Sequence, residues 1–119
     1  MIKGIGLDII ELDRIGESLK KSDRLVRRIL TPQEREKFDQ LGSHKRKVEF
    51  LAGRFTAKEA FSKAAGTGIG ALSFQHINIE NDSSGAPNMT VAGYEKMHIF
   101  ISITHSDTYA ISQIVLEDV

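Results

Sequence analysis

Glu49-Phe50-Leu51-Ala52-Gly53-Arg54-Phe55-Thr56-Ala57-Lys58-Glu59-Ala60-Phe61-Ser62-Lys63-Ala64-Ala65-Gly66 carries apolar residues at helical spacing. It predicts a helix from about His44 to Ala65, the longest of the chain, stopped by Gly66. At about 100° per residue, Val48, Leu51, Ala52 and Phe55 form one stripe. Phe50, Gly53, Ala57, Ala60, Phe61 and Ala64 form a second, nearly opposite. A helix apolar on two sides is buried on both: one side against the chain's own sheet, the other against more of the chain or a neighbouring subunit. Glu59 stands at the centre of the first stripe, Arg54 and Lys58 share a flank, and Lys63 lies one turn beyond Glu59.

Toward the N-terminus, Lys3, Ile5 and Leu7 alternate with Gly4, Gly6 and Asp8, a period of two that reads as a strand with one nearly bare face. Something packs closely on that face, and the face ends in a carboxylate. From Ile9 the period changes: Ile9, Leu12, Ile15 and Leu19 predict a helix to about Lys20. Thr31-Pro32-Gln33-Glu34 has the form of a capping box with proline at the first helical position, and Gly42 is the expected stop. Beyond the long helix come strands. Phe74 to Glu80 is one, Asn81 to Pro87 a turn cluster, and Ile99 to His105 with Tyr109 to Leu116 a hairpin around Ser106-Asp107-Thr108. The order predicts an α+β fold, with helices packed on one face of a small antiparallel sheet.

The 119 residues suffice for one domain with one core. Sixteen basic and sixteen acidic side chains cancel, which argues against bulk nucleic-acid or membrane binding. There is no cysteine, no apolar run long enough to span a bilayer and no secretory-type N-terminus, so a cytoplasmic location is expected.

Asp8 and Glu59 each interrupt an apolar pattern, and a half-buried carboxylate needs a partner. Together they could hold Mg²⁺, which is usually bound by one or two carboxylates, water and substrate phosphates. Equally, Asp8 could cap the next helix and Glu59 pair with Lys63. Arg54, Lys58 and Lys63, with the glycines of Gly66-Thr67-Gly68-Ile69-Gly70, suit a polyanion, although a helix stop followed by a flexible connection explains the glycines as well. His105 ends a strand beside a turn, where it could bind phosphate or move protons. Arg14, Lys20, Lys21, Arg24, Arg27 and Arg28 concentrate positive charge around Leu25, Val26, Ile29 and Leu30, which fits an acidic protein partner or a solvated surface.

These segments together resemble the holo-(acyl-carrier-protein) synthases, the small class of 4′-phosphopantetheinyl transferases, over nearly the whole chain. The resemblance is carried by Gly4-Ile5-Gly6-Leu7-Asp8, Glu49 to Phe55, Lys58-Glu59-Ala60-Phe61-Ser62-Lys63, Gly66-Thr67-Gly68 and Ile101-Ser102-Ile103-Thr104-His105. It implies that Asp8 and Glu59 bind Mg²⁺ and that Lys63 steadies or protonates the leaving phosphate. Arg54, Lys58, Lys63, Gly66, Thr67, Gly68, Pro87, Thr104 and His105 would line the coenzyme A site. Arg14, Arg24, Leu25 and Arg28 would face an apo acyl carrier protein. The implied reaction moves phosphopantetheine to a carrier serine, releases 3′,5′-ADP and serves fatty acid biosynthesis. The serine proton could pass to a metal-bound water, a carboxylate or His105. A homotrimer with active sites between subunits is implied as well. Two other readings use the same residues: a trimeric nucleotide-binding regulator and a Mg²⁺-dependent phosphohydrolase.

Overall fold

The computed structural model describes residues 1–68 and 72–119. The chain runs β1 (Ile2–Glu11), α1 (Leu12–Lys21), α2 (Arg24–Ile29), α3 (Pro32–Asp39), α4 (His44–Ala65), a 3₁₀ turn (Phe74–His76), β2 (Ile77–Asn81), β3 (Pro87–Val91), β4 (His98–His105) and β5 (Tyr109–Glu117). β5 lies between β1 and β4 in a three-stranded antiparallel sheet, and β2 and β3 form a separate two-stranded one.

α4 begins at Ser43, whose hydroxyl accepts the Arg46 N–H, and ends at Gly66 in the left-handed region (φ 76°). Only glycine enters that region without a side-chain penalty, so the expected stop is where the helix breaks. Both apolar stripes are buried within the one chain. Val48, Leu51 and Ala52 join Ile15, Val26, Ile29, Phe38 and Phe74 beneath the short helices, with Phe55 packed alongside. Ala57, Ala60, Phe61 and Ala64 join Ile77, Ile79, Ile114 and Leu116 against the strands. A neighbouring subunit is therefore not needed to cover α4.

The bare face of β1 has a steric cause. A Cβ added at Gly4 would overlap the Ala64 carbonyl, and one at Gly6 the Ala60 carbonyl. Strand and helix backbones approach so closely that no side chain fits between them. Thr56, where α4 crosses β5, adds a buried hydrogen bond to the Ser112 hydroxyl at 2.7 Å.

Four local expectations are corrected. Ile9 does not start a helix: β1 continues to Glu11, with Ile9 opposite Ile111 and Ile10 opposite Ala110, because β5 offers a ladder that outlasts the glycines. Arg24–Ile29, read as a charged cluster, is a helix, its Val26 and Ile29 buried. Phe74–His76 is a 3₁₀ turn capped by Ser73, so its strand starts at Ile77. Pro87–Val91, placed partly in a turn, is strand β3. The capping box at Thr31 stands as expected: Thr31 accepts the Glu34 N–H at 3.2 Å and Glu34 accepts the Thr31 N–H at 2.9 Å.

Gly6→Ala is expected to lower stability by about 3 kcal/mol or more, since a fixed backbone oxygen stands where the methyl would go. Denaturant unfolding measures it; a loss under about 0.5 kcal/mol would show that strand and helix can separate freely.

Candidate active site

Asp8 is the residue after Gly6 on the helix-facing side of β1, so the contact that excludes side chains at Gly4 and Gly6 carries its carboxylate to α4. There Lys63 Nζ donates to Asp8 Oδ1 at 3.0 Å and to the Leu7 carbonyl at 2.9 Å. A lysine ammonium has three N–H groups, so one is left for another acceptor. The helix-cap alternative for Asp8 fails, because the residue sits inside a strand and the cap position of α1 is Glu11, which makes no side-chain cap bond. Lys63 pairs with Asp8 instead of Glu59.

Glu59, half-buried on α4, has its carboxyl pushed above the ordinary range. Burial is the largest cause and the Asp8 charge the next; Lys63 and Arg28 pull the other way. Two carboxylates close enough to repel each other, with a lysine beside them, are an oxygen-rich site that a small divalent cation would relieve. The donor set suits Mg²⁺, whose remaining positions go to water and phosphate. Among the described residues no group of three or more His, Cys, Asp or Glu is placed to hold a metal.

Lys58, next to Glu59, points the other way. Its side chain is fully buried, and its ammonium donates to Glu34 Oε1 at 2.6 Å, the Ile29 carbonyl at 2.6 Å and the Phe74 carbonyl at 3.2 Å. All three N–H groups are taken, so its ammonium has no donor left for a coenzyme. Burial lowers its pKa, offset by Glu34. The second Glu34 oxygen accepts the Ile79 N–H at 2.8 Å, which ties α2, α3, the 3₁₀ turn and β2 to α4 through one buried pair.

Arg54, buried on α4, and His105, exposed at the end of β4, lie elsewhere. They share a cavity of about 210 Å³ with Arg46, Glu49, Phe50 and Ile103. The Arg54 guanidinium stacks 4.2 Å from the centroid of Phe50, and its buried Nε has no hydrogen-bond partner among the described residues. His105 Nδ1 is 3.8 Å from Glu49 Oε2. Glu49 precedes Glu59 by ten positions, about 15 Å along a helix axis, and His105 is on β4, the sheet edge opposite Asp8 on β1. One chain therefore brings Asp8, Glu59 and Lys63 together but keeps Arg54 and His105 apart from them. Thr104 and His105, adjacent strand residues, face opposite sides of the sheet.

Of the other expected site residues, Gly66, Thr67 and Gly68 are exposed just past α4, near Lys63; Ile69 and Gly70 lie outside the described residues. Pro87 opens β3. Arg14 and Arg24 are exposed on α1 and α2, and Leu25 packs partly against the helical core. Glu49 and Arg46 entered the site only with the fold, since nothing local in sequence links them to His105.

Residues 4–114 match the profile of the 4′-phosphopantetheinyl transferase superfamily. A holo-[acyl-carrier-protein] synthase of Oceanobacillus iheyensis is 54% identical over 117 residues, 98% of each chain. A crystal structure of a holo-(acyl-carrier-protein) synthase from Bacillus anthracis, in complex with CoA (3′,5′-ADP), superposes with a TM-score of 0.90 at 47% identity, covering 100% of this chain and 99% of that one. A holo-[acyl-carrier-protein] synthase structure from Neisseria meningitidis gives 0.87 at 38% identity, covering 99% and 100%.

Because the Glu59 carboxyl is raised, its proton competes with a cation at a higher pH than an ordinary glutamate's would. Mg²⁺ affinity should fall as pH drops through that raised value, and Glu59→Gln should abolish the pH-dependent part. Calorimetric Mg²⁺ titrations from pH 5 to 8 test this; a pH-independent affinity in the unmodified chain would refute it.

Proposed function

Since the chain belongs to the 4′-phosphopantetheinyl transferase superfamily, we propose that it moves the 4′-phosphopantetheine arm of coenzyme A to a serine of an apo acyl carrier protein in the cytoplasm, supporting fatty acid biosynthesis. The observation that carries the reading is the meeting of Asp8, Glu59 and Lys63 at the β1–α4 contact.

Asp8 and Glu59 would hold Mg²⁺, which when bound neutralises charge on the diphosphate oxygens. The serine oxygen forms a bond to the β-phosphorus of coenzyme A while that phosphorus loses its bond to the bridging oxygen, and 3′,5′-ADP departs with the bonding pair. Lys63, with one N–H uncommitted, stabilises charge on the departing phosphate or protonates it. The serine proton passes to a base; His105 and a carboxylate are both suited by type. Arg14, Arg24 and Arg28 are exposed and Leu25 partly so, and they would offer an acidic carrier helix basic side chains with one apolar contact.

A trimer completes the site. Ile5, Leu7, Ile9 and Phe100 are each more than half exposed on the sheet face away from α4, an apolar patch that a second copy would cover. Arg54 and His105 of one subunit could then meet Asp8 and Glu59 of the next, which explains how residues separated within one chain serve one substrate. Among the described residues no helix is long and apolar enough to cross a membrane.

Incubation with apo carrier, coenzyme A and Mg²⁺ should raise the carrier mass by one phosphopantetheine, and Glu59→Gln should lower the rate by about a hundredfold or more while leaving the melting curve intact. No mass increase at any Mg²⁺ concentration would overturn the reading, and release of 3′,5′-ADP without carrier would favour a phosphohydrolase. Mixing inactive Asp8→Asn and His105→Ala subunits should restore part of the activity. Failure of the mixed trimers to do so would place each site within one chain.

A further inference from the structure

We propose that Arg28 binds a phosphate of the coenzyme substrate at the Glu59 site, and that Phe74 and the buried Lys58 place it there. The proposal rests on the transferase reading above and gives Arg28 a role beyond the carrier surface that the family resemblance implies.

Lys58 and Glu59 are consecutive on α4, and Lys58 bonds the carbonyl of Ile29, the residue after Arg28. The same ammonium bonds the Phe74 carbonyl, and the Phe74 ring is where Arg28 comes to rest, its guanidinium carbon 5.4 Å from the centroid. On the helix side, Phe74 packs against Phe55, one turn before Glu59, with centroids 5.8 Å apart. Gln75 fixes the end of α2 further by donating to the carbonyls of Arg27 at 3.1 Å, Arg28 at 3.3 Å and Leu30 at 2.8 Å. Arg28 is thus held at both its backbone and its ring stack, on elements clamped to the turn of α4 that carries Glu59.

Arg28 also lies close enough to Glu59 for its charge to act on that carboxylate. Arg27 is paired with Asp23, whereas among the described residues Arg28 has no ion-pair partner. A guanidinium resting over an aromatic ring and close to Glu59 matches a phosphate that would also meet a cation held by that acid.

Coenzyme A binding, measured by calorimetry on the full chain with Mg²⁺ and no carrier present, separates the roles. Arg28→Gln, an exposed substitution, should weaken coenzyme A about tenfold or more, with Arg28→Lys intermediate. Phe74→Leu and Lys58→Met, each confirmed folded by melting, should cause a similar loss that Arg28→Gln does not deepen when combined with either. If Lys58→Met fails to fold, Phe74→Leu alone carries that arm. Unchanged coenzyme A affinity in Arg28→Gln with a raised carrier KM overturns the proposal, as do losses that add in full in the combined variants. Absence of both coenzyme A binding and transfer in the unmodified chain would instead overturn the transferase reading.

Discussion

The approach of β1 to α4 is the constraint on which the rest of the structure depends. Gly4 and Gly6 leave the strand without side chains where it meets the Ala64 and Ala60 carbonyls, and Ala57, Ala60 and Ala64 keep the helix surface low. Small residues on both partners bring two backbones nearer than ordinary packing allows. Asp8, the next residue on that strand face, is delivered to Lys63 by this contact. A longer side chain at Gly6 would damage both the fold and the acid pair, because one contact serves both.

α4 also needs a fixed rotation about its axis, since Glu59 must stay at the surface while Lys58, one position earlier, is buried. The Lys58–Glu34 pair supplies part of it. Burying two charges is costly, and attraction between them repays that cost only when every remaining hydrogen-bonding group finds a partner. Here the lysine has Ile29 and Phe74 carbonyls besides its carboxylate, and Glu34 also receives the Thr31 and Ile79 N–H groups. The pair is thus a satisfied junction of five elements. Its contribution is better understood as specificity of arrangement than as net stability.

Two apolar stripes on α4 invited the idea that a neighbouring subunit covers the helix. The structure assigns both stripes to the chain's own core and leaves the uncovered apolar surface on the far side of the sheet. A strand pattern hides such a face: Ile5, Leu7 and Ile9 look like core residues when read by period, because alternation tells which residues share a side but not which side is inside.

Sequence by itself determined the elements with strong local chemistry. The capping box at Thr31 and Glu34, the glycine stop at Gly66 and the bare face of β1 follow from hydrogen-bonding capacity and backbone sterics within a few residues. It also singled out Asp8, Glu59 and Lys63, since charges that break apolar patterns stand out before any fold is known. Only the tertiary structure decided which charges meet. Lys58 and Lys63 are both lysines flanking Glu59 on one helix, yet one is spent in the core and the other faces Asp8, because packing against α2 and the 3₁₀ turn fixes which side of α4 is buried. The extension of β1 through Ile9 and Ile10, the separation of His105 from Asp8 and the seat of Arg28 on Phe74 likewise depend on pairings between distant segments. Such pairings are set by the free energy of the assembled core, and no local stretch of residues encodes them.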